Sequence, residues 1–342
     1  MHRHPVVSRF AFAIVFALMG GLAIGALPRG GAAQEATGAA ASPLAASGDF
    51  AGLVDIGERS LYLECRGTGS PTVVLVTGYR SSARIWSEDL LQPDAPRTMV
   101  LPAVAQFTRV CAYDRPGTIA TVEEDVLPSR SDPIAQPRTA PDLVAELHAL
   151  LQAGDVPDPY ILAAHSLGGL VARLYASTYP DEVVGLILVD AYSERLENLL
   201  GAERWQALVR LNRESGSDTV VEIPGYGDLE TLGYGTSNGV MREAAAATPL
   251  RSMPLAVLAH GRPFALPQEA QGFTSESLEA VLRAANEDLA RLVPRARFFV
   301  AGDSGHDIHQ DQPELVIEAV RQVVAGVRDP ETWYAMTSCC AE

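Results

Sequence analysis

Ser166 lies between a strand-like run, Tyr160-Ile161-Leu162-Ala163-Ala164, and a helical pattern from Leu170 to Tyr179, so one hydroxyl occupies a sharp strand-to-helix turn. A serine is a useful nucleophile in that position. Its hydroxyl projects clear of a sheet, with space beside it for a base and backbone N–H groups close enough to hold an oxyanion. The stretch reads Ala164-His165-Ser166-Leu167-Gly168, a G-x-S-x-G pattern with alanine at the first small position. A Ser-Leu-Gly-Gly run also suits an ordinary helix start, because serine is a good N-cap.

The elements around it alternate. Apolar runs at Leu61-Leu63, Thr72-Val76, Arg109-Tyr113, Tyr160-Ala164, Val183-Val189, Leu255-Ala259 and Ala296-Ala301 read as strands, and amphipathic stretches separate them. This alternation predicts an α/β fold with a mostly parallel sheet and helices on both faces. Thr139 is placed to cap a helix with Pro141 in its first turn, an apolar face of Leu143, Val144, Leu147, Leu150 and Leu151, and Gly154 past its end. Ser275 to Val293 and Glu314 to Val324 show the same period. Between Val189 and Leu255 no clear strand occurs, although Trp205 and a Gly-Tyr-rich stretch from Gly225 to Tyr234 do. That is too long for a simple connection, and it reads as a cap inserted over a site.

The chain has 342 residues, 47% hydrophobic and 20% charged, enough for one large domain or two small ones with a sizeable core. Lysine is absent. The net charge of −16 becomes −19 without residues 1–33, which argues against a nucleic-acid partner. Schiff-base chemistry and a phosphate-cradling P-loop both need the missing lysine. The seven histidines, His2, His4, His148, His165, His260, His306 and His309, form no His-Glu-x-x-His, and no paired Cys-x-x-Cys occurs, so neither metal nor cofactor is called for.

The first 33 residues read as an export signal: Arg3 and Arg9 precede an apolar run from Phe10 to Leu27, and Gly31-Ala32-Ala33 offers a cleavage site. An uncleaved anchor is the alternative, because about 18 apolar residues reach the lower limit for spanning a bilayer. The organisation expected is a signal peptide (1–33), a flexible linker (34–48), a core (49–191 and 252–328), a cap (192–251) and a C-terminal tail (329–342), in a secreted or periplasmic protein. Export permits oxidation. Cys65 and Cys111 lie on separate strand-like segments and could pair or stay as buried thiols, while the state of the adjacent Cys339 and Cys340 is open.

Several motifs occur in an order that resembles the α/β-hydrolase superfamily, in its carboxylesterase-like serine hydrolases, from about Gly52 to Gly326. Thr77-Gly78-Tyr79 followed by Trp86 is similar to the family's loop after the third strand, and Tyr113-Asp114-Arg115-Pro116-Gly117 to its turn after the fourth. Ser166 matches the nucleophile elbow, and Ser304-Gly305-His306 matches the segment with the catalytic histidine. The resemblance implies a sheet with a cap between strands 6 and 7 and a Ser…Asp…His order. Ser166 would attack an acyl carbon, His306 would take its proton, and the N–H groups of Leu167 and Tyr79 would hold the oxyanion. His165 is the rival base but reads as a packing residue pointing away from the serine, and His309 as a residue behind the catalytic groups or on the surface.

The acid departs from the family's common pattern. Gly261-Arg262-Pro263-Phe264 stands where a Gly-x-x-Asp turn is usual, so no carboxylate is there. Some members carry the acid after the sixth strand, where Leu188-Val189-Asp190 places Asp190; Glu194 and Glu269 are the fallback acids, and Asp190 could instead cap a helix. Asp114 and Arg115 read as turn-fixing residues. A serine at the elbow implies acyl transfer to water rather than epoxide or halide cleavage. The function expected is hydrolysis of a small carboxylic ester or lactone through an acyl-enzyme. A serine aminopeptidase or amidase is the alternative, with Glu222, Asp228 and Glu230 of the cap as amine-binding candidates, and a non-catalytic binding protein on the same fold is another.

Overall fold

Strand formation follows the β-branched and aliphatic runs, and a computed structural model describes residues 48–122, 125–214, 229–264, 266 and 272–335. The expected signal peptide, Glu222, Asp228, Glu269, Cys339 and Cys340 lie outside the described residues. In chain order the elements are β1 (Phe50–Asp55), β2 (Ser60–Arg66), β3 (Thr72–Val76), α1 (Arg84–Ser87), α2 (Val100–Val104) and β4 (Val110–Tyr113). There follow β5 (Ile119–Val122), β6 (Asp125–Pro128), α3 (Ala140–Ala153), β7 (Tyr160–His165), α4 (Leu167–Thr178) and β8 (Val183–Val189). The chain continues with α5 (Leu196–Glu214), α6 (Tyr234–Ala247), β9 (Leu255–His260), α7 (Ser275–Leu289), β10 (Arg297–Ala301), α8 (Ile308–Asp311), α9 (Pro313–Arg328) and α10 (Pro330–Ala335).

Eight strands form one sheet in the order β1-β2-β4-β3-β7-β8-β9-β10. β1 and β2 pair antiparallel, β2 also runs antiparallel to β4, and every pairing from β4 to β10 is parallel. Parallel neighbours require crossovers, and the helices supply them on both faces. Val74, Leu162 and Leu186 pack with α3 and α4 on one side, and Val73, Leu75, Ile161 and Ile187 pack with α2 and α9 on the other. This two-sided burial makes β3, β7 and β8 near-continuous apolar runs without polar alternation.

All seven expected strands are present. β1 and the β5–β6 hairpin were not expected, since Phe50–Asp55 carries a glycine and only one fully buried residue, and Ile119–Val122 has none of the apolar run of a central strand. Thr139 caps α3 as expected, with Asp142 returning the hydrogen bond. Within the expected C-terminal tail, residues 330–335 form α10, started by Pro330 and held by the buried Trp333, whose ring lies against Gly326 of α9. Among the described residues no helix is long and apolar enough to cross a membrane.

Cys65 of β2 and Cys111 of β4 are register partners and form a disulfide, one of the two states left open by the sequence. They are 46 residues apart, so the bond restricts the unfolded chain far more than the folded one. Replacing both cysteines by alanine is expected to lower unfolding free energy by about 4 kcal/mol in urea titration; a loss under about 1 kcal/mol would mean the bond is not formed.

Candidate active site

Ser166 has φ 50° and ψ −121°, a conformation that costs a non-glycine residue roughly 1–3 kcal/mol. The sheet and α4 hold it there. Its N–H donates to the carbonyl of Val189 (3.1 Å), while its own carbonyl accepts from Gly169 (2.9 Å) and Tyr192 (2.8 Å). The small residues that follow permit the close approach: a Cβ on Gly168 would lie 2.6 Å from the carbonyl oxygen of Val76, and one on Gly169 2.4 Å from Cβ of Ala191. The serine is therefore presented at the C-terminal edge of the parallel strands.

Asp190 follows β8 at that same edge, also with a positive φ (42°), and its N–H donates to the carbonyl of Leu258 (2.7 Å). Its side chain caps no helix. One carboxylate oxygen accepts from His306 Nδ1 at 2.5 Å, and both oxygens lie 2.8 Å from His260 Nδ1. Asn286 Nδ2 adds a longer contact at 3.4 Å. Burial raises the proton affinity of this carboxyl, but hydrogen bonds from His260 and His306 outweigh it and hold Asp190 well below the usual carboxylate range. For His306, burial disfavours the cation, and the hydrogen bond and charge of Asp190 overcome this to shift it upward.

Gly305 N–H donates to Asp311 (2.7 Å), and the N–H groups of Gly261 and Arg262 both donate to the carbonyl of Ser304 (3.1 and 2.9 Å), which fixes the turn carrying His306. His165 Nε2 lies 3.0 Å from the carbonyl of His306. A carbonyl only accepts, so that nitrogen carries the proton. The His165 ring, buried and 4.6 Å from that of His306, borders the cavity described below and braces the His306 turn, in keeping with its expected packing role. Burial pushes His165 well below the usual histidine range and His309 down to about 3, so both are neutral. Of the two places expected for His309, behind the catalytic groups or on the surface, the structure shows the first: it is 1% exposed and packed against Trp86 and His165.

Ser166, Leu167, Tyr79, Asp190 and His306 all border one cavity of about 410 Å³. Ile85, Leu90, Tyr192, Leu196, Tyr234 and Leu282 make its walls largely apolar, and Tyr192, Leu196 and Tyr234 come from the segment between β8 and β9. Glu194 is not near the histidines; it is buried in an ion pair with Arg173 at 2.6 Å, which keeps its proton affinity low. Asp114 fixes a turn as expected, accepting from Ala83 N–H and Arg130.

Arg115 does more than fix its own turn. Fully buried, it donates to the carbonyls of Thr77 (3.0 Å) and Gly78 (2.6 Å) and pairs with Glu230 at 2.6 Å, while Glu230 also accepts from the N–H of Arg80 (2.6 Å). The loop containing Tyr79 is thus clamped between a buried arginine and a carboxylate of the segment between β8 and β9. Gly117 makes this possible, because a Cβ there would lie 2.3 Å from Glu230 N. Glu230, 1% exposed and tied to Arg115, is not placed to receive a ligand's amine, contrary to its expected candidacy.

His260, Glu279 and Asn286 were missed in the sequence. His260 had a legible signal, since it ends a strand on the edge where ligands bind in α/β sheets. Glu279 and Asn286 lie in a polar helical pattern with no such mark. His165, Asp307 and His309 also bring potential ligand atoms within 4.8 Å of one another, a cluster the sequence spacing did not suggest. The His165 nitrogen 3.7 Å from Asp307 is the one engaged with His306, so the cluster is already used internally.

The chain belongs to the alpha/beta hydrolase family, whose model matches residues 73–319. Among curated relatives it is 31% identical over 200 residues to an uncharacterized protein of Schizosaccharomyces pombe, covering 51% of this chain but 35% of that protein. It is 24% identical over 261 residues to the uncharacterized protein YqjL of Bacillus subtilis, covering 75% and 85% of the two chains. Its fold is similar to that of a thermophilic esterase from Thermogutta terrifontis (TM-score 0.50, 20% identity, 81% of this chain and 99% of that one). It is also similar to Cfl2 from Burkholderia cenocepacia (TM-score 0.51, 17% identity, 82% and 97%).

The clamp on the Tyr79 loop makes a quantitative prediction. Glu230→Ala leaves the Arg115 guanidinium buried without its carboxylate and is expected to lower unfolding free energy by about 3–5 kcal/mol. Chemical denaturation checks this; a loss below about 1 kcal/mol would mean that Glu230 does not pair with Arg115 in solution.

Proposed function

We propose that the protein is an exported serine hydrolase that cleaves carboxylic esters or lactones through an acyl-enzyme. The observation that supports this most strongly is the convergence on one apolar cavity of Ser166, on a strained strand-to-helix turn, and His306, held by Asp190 through Nδ1 at 2.5 Å. With Nδ1 donating to Asp190, His306 has Nε2 left as the basic nitrogen. It takes the Ser166 proton as Oγ attacks the acyl carbon. Negative charge then develops on the former carbonyl oxygen, and the N–H groups of Leu167 and Tyr79 receive it. His306 next returns the proton to the departing alkoxide, and a water activated by the same nitrogen releases the acid from Ser166.

The walls favour a neutral, apolar acyl group. Glu230, the one amine-binding candidate within the described residues, is consumed by Arg115, so the ester reading is preferred to the peptidase one. The expected export signal at residues 1–33 supports a secreted or periplasmic location. The test is hydrolysis of p-nitrophenyl esters of graded acyl length. Ser166→Ala is expected to abolish turnover in a folded protein, and Asp190→Asn to lower kcat by about three to four orders of magnitude. Turnover retained by Ser166→Ala would overturn the assignment of the nucleophile, and a loss under tenfold in Asp190→Asn that of the acid.

A further inference from the structure

Beyond His306, the Asp190 carboxylate faces a second imidazole whose chemistry the serine mechanism leaves unused. His260 is 4% exposed, at the end of β9. Its Nδ1 lies 2.8 Å from both oxygens of Asp190, and its Nε2 lies 2.7 Å from a carboxylate oxygen of Glu279 on α7. Ionised carboxylates only accept, so both ring nitrogens must donate and the ring must carry its second proton. Four further contacts fix the arrangement. The N–H of His260 points at Asp190 (3.3 Å), Arg283 donates to the carbonyl of His260 (3.1 Å), and Phe264 sits against the ring (4.9 Å) while its own N–H donates to Glu279 (2.7 Å).

We propose that His260 is a positioning residue of this site: an imidazolium clamped by Glu279 that holds the Asp190 carboxylate toward His306 and keeps the proton affinity of His306 lower than Asp190 alone would make it. The inference rests on the Ser166, His306 and Asp190 assignment. Its logic is charge balance. Asp190 alone, buried beside His306, would favour the imidazolium form of that ring and remove the base from use at neutral pH. A fixed cation on the far side of the carboxylate opposes this, since like charges repel across a medium of low dielectric.

The groups facing His260 are Asp190 after β8, Glu279, Arg283 and Asn286 on α7, and His306 after β10. The two carboxylates outweigh the cations nearest the ring. Burial works against the charged ring, yet hydrogen bonds to Asp190 and Glu279 prevail and raise His260 to about 9. A merely structural ion pair joining β9 to α7 would make the same contacts, but it would not set the protonation of His306.

Two measurements on the full chain separate these roles. In ¹⁵N-histidine NMR at pH 7.5, both nitrogens of His260 are expected to be protonated, with a titration midpoint that falls by about one unit or more in Glu279→Gln. A neutral His260 in the parent protein would overturn the inference, whether or not any ester is hydrolysed. The second is the pH profile of kcat/KM for ester hydrolysis by His260→Asn, in which an amide keeps a donor near the Nδ1 position but carries no charge.

Its acid limb is expected to move to higher pH by about one unit, with the alkaline plateau within about threefold of the parent. His260→Ala, which removes the donor too, is expected to show the same shift and a plateau at least tenfold lower. An unshifted limb in folded His260→Asn, judged by circular dichroism, would leave His260 a structural residue and overturn the proposal. If the parent turns over no ester, the nucleophile assignment fails separately, and the NMR result still decides the charge of His260.

Discussion

A single ionised carboxylate, that of Asp190, is buried to 4% exposure at the end of a central strand, and much of the surrounding architecture exists to keep it charged. Burying a carboxylate without partners costs several kcal/mol, so cations and donors have to be brought to it. The fold brings them from three directions. His260 comes from the adjacent strand β9, Asn286 from α7, and His306 from the turn after β10, the next strand out. The strand order β8-β9-β10 is thereby coupled to electrostatics, because neither histidine would reach Asp190 if those strands were exchanged. Even the turn bearing His306 is tied back by its neighbours, through His165, Asp311 and the backbone of Gly261 and Arg262.

Around this centre the backbone accepts strain and close contact. Ser166 and Asp190 both hold positive φ at the ends of adjacent parallel strands, and the Ser166 N–H bonds to the carbonyl of Val189, one residue before Asp190. Gly168 and Gly169 let α4 approach the chain at Val76 and Ala191 more closely than any side chain would allow. Arg115 and Glu230 together fix the Thr77–Arg80 loop by hydrogen bonds to its backbone. That pair makes the segment between β8 and β9 part of the site's framework as well as its wall.

Much of this was legible because the signals are local. The Ser166 turn, the capping of α3 by Thr139 and the apolar strands β3, β7 and β8 each depend on a short run of residues and on burial on both faces of a sheet. Asp190 came forward through the resemblance to family members that carry the acid after the sixth strand, since its position alone suited a helix cap as well. What stayed hidden depends on long-range pairing. His260 meets Asp190 across 70 residues and Glu279 across 19, and Arg115 meets Glu230 across 115, so no periodicity reports them. Glu194, a fallback acid in the sequence, is paired with Arg173 across 21 residues, which no local pattern reports. β1 and the β5–β6 hairpin were missed because edge and peripheral strands lack the continuous apolar runs that betray a central one.

The central claim is that Ser166 is an activated nucleophile and not a helix cap. Labelling with a fluorophosphonate probe, followed by mass spectrometry to locate the adduct, tests it without knowledge of the natural substrate. A stoichiometric adduct on Ser166 in the parent chain, lost in a folded His306→Ala variant, is the result this account predicts. Folded protein that acquires no adduct, or acquires it equally without His306, would contradict it.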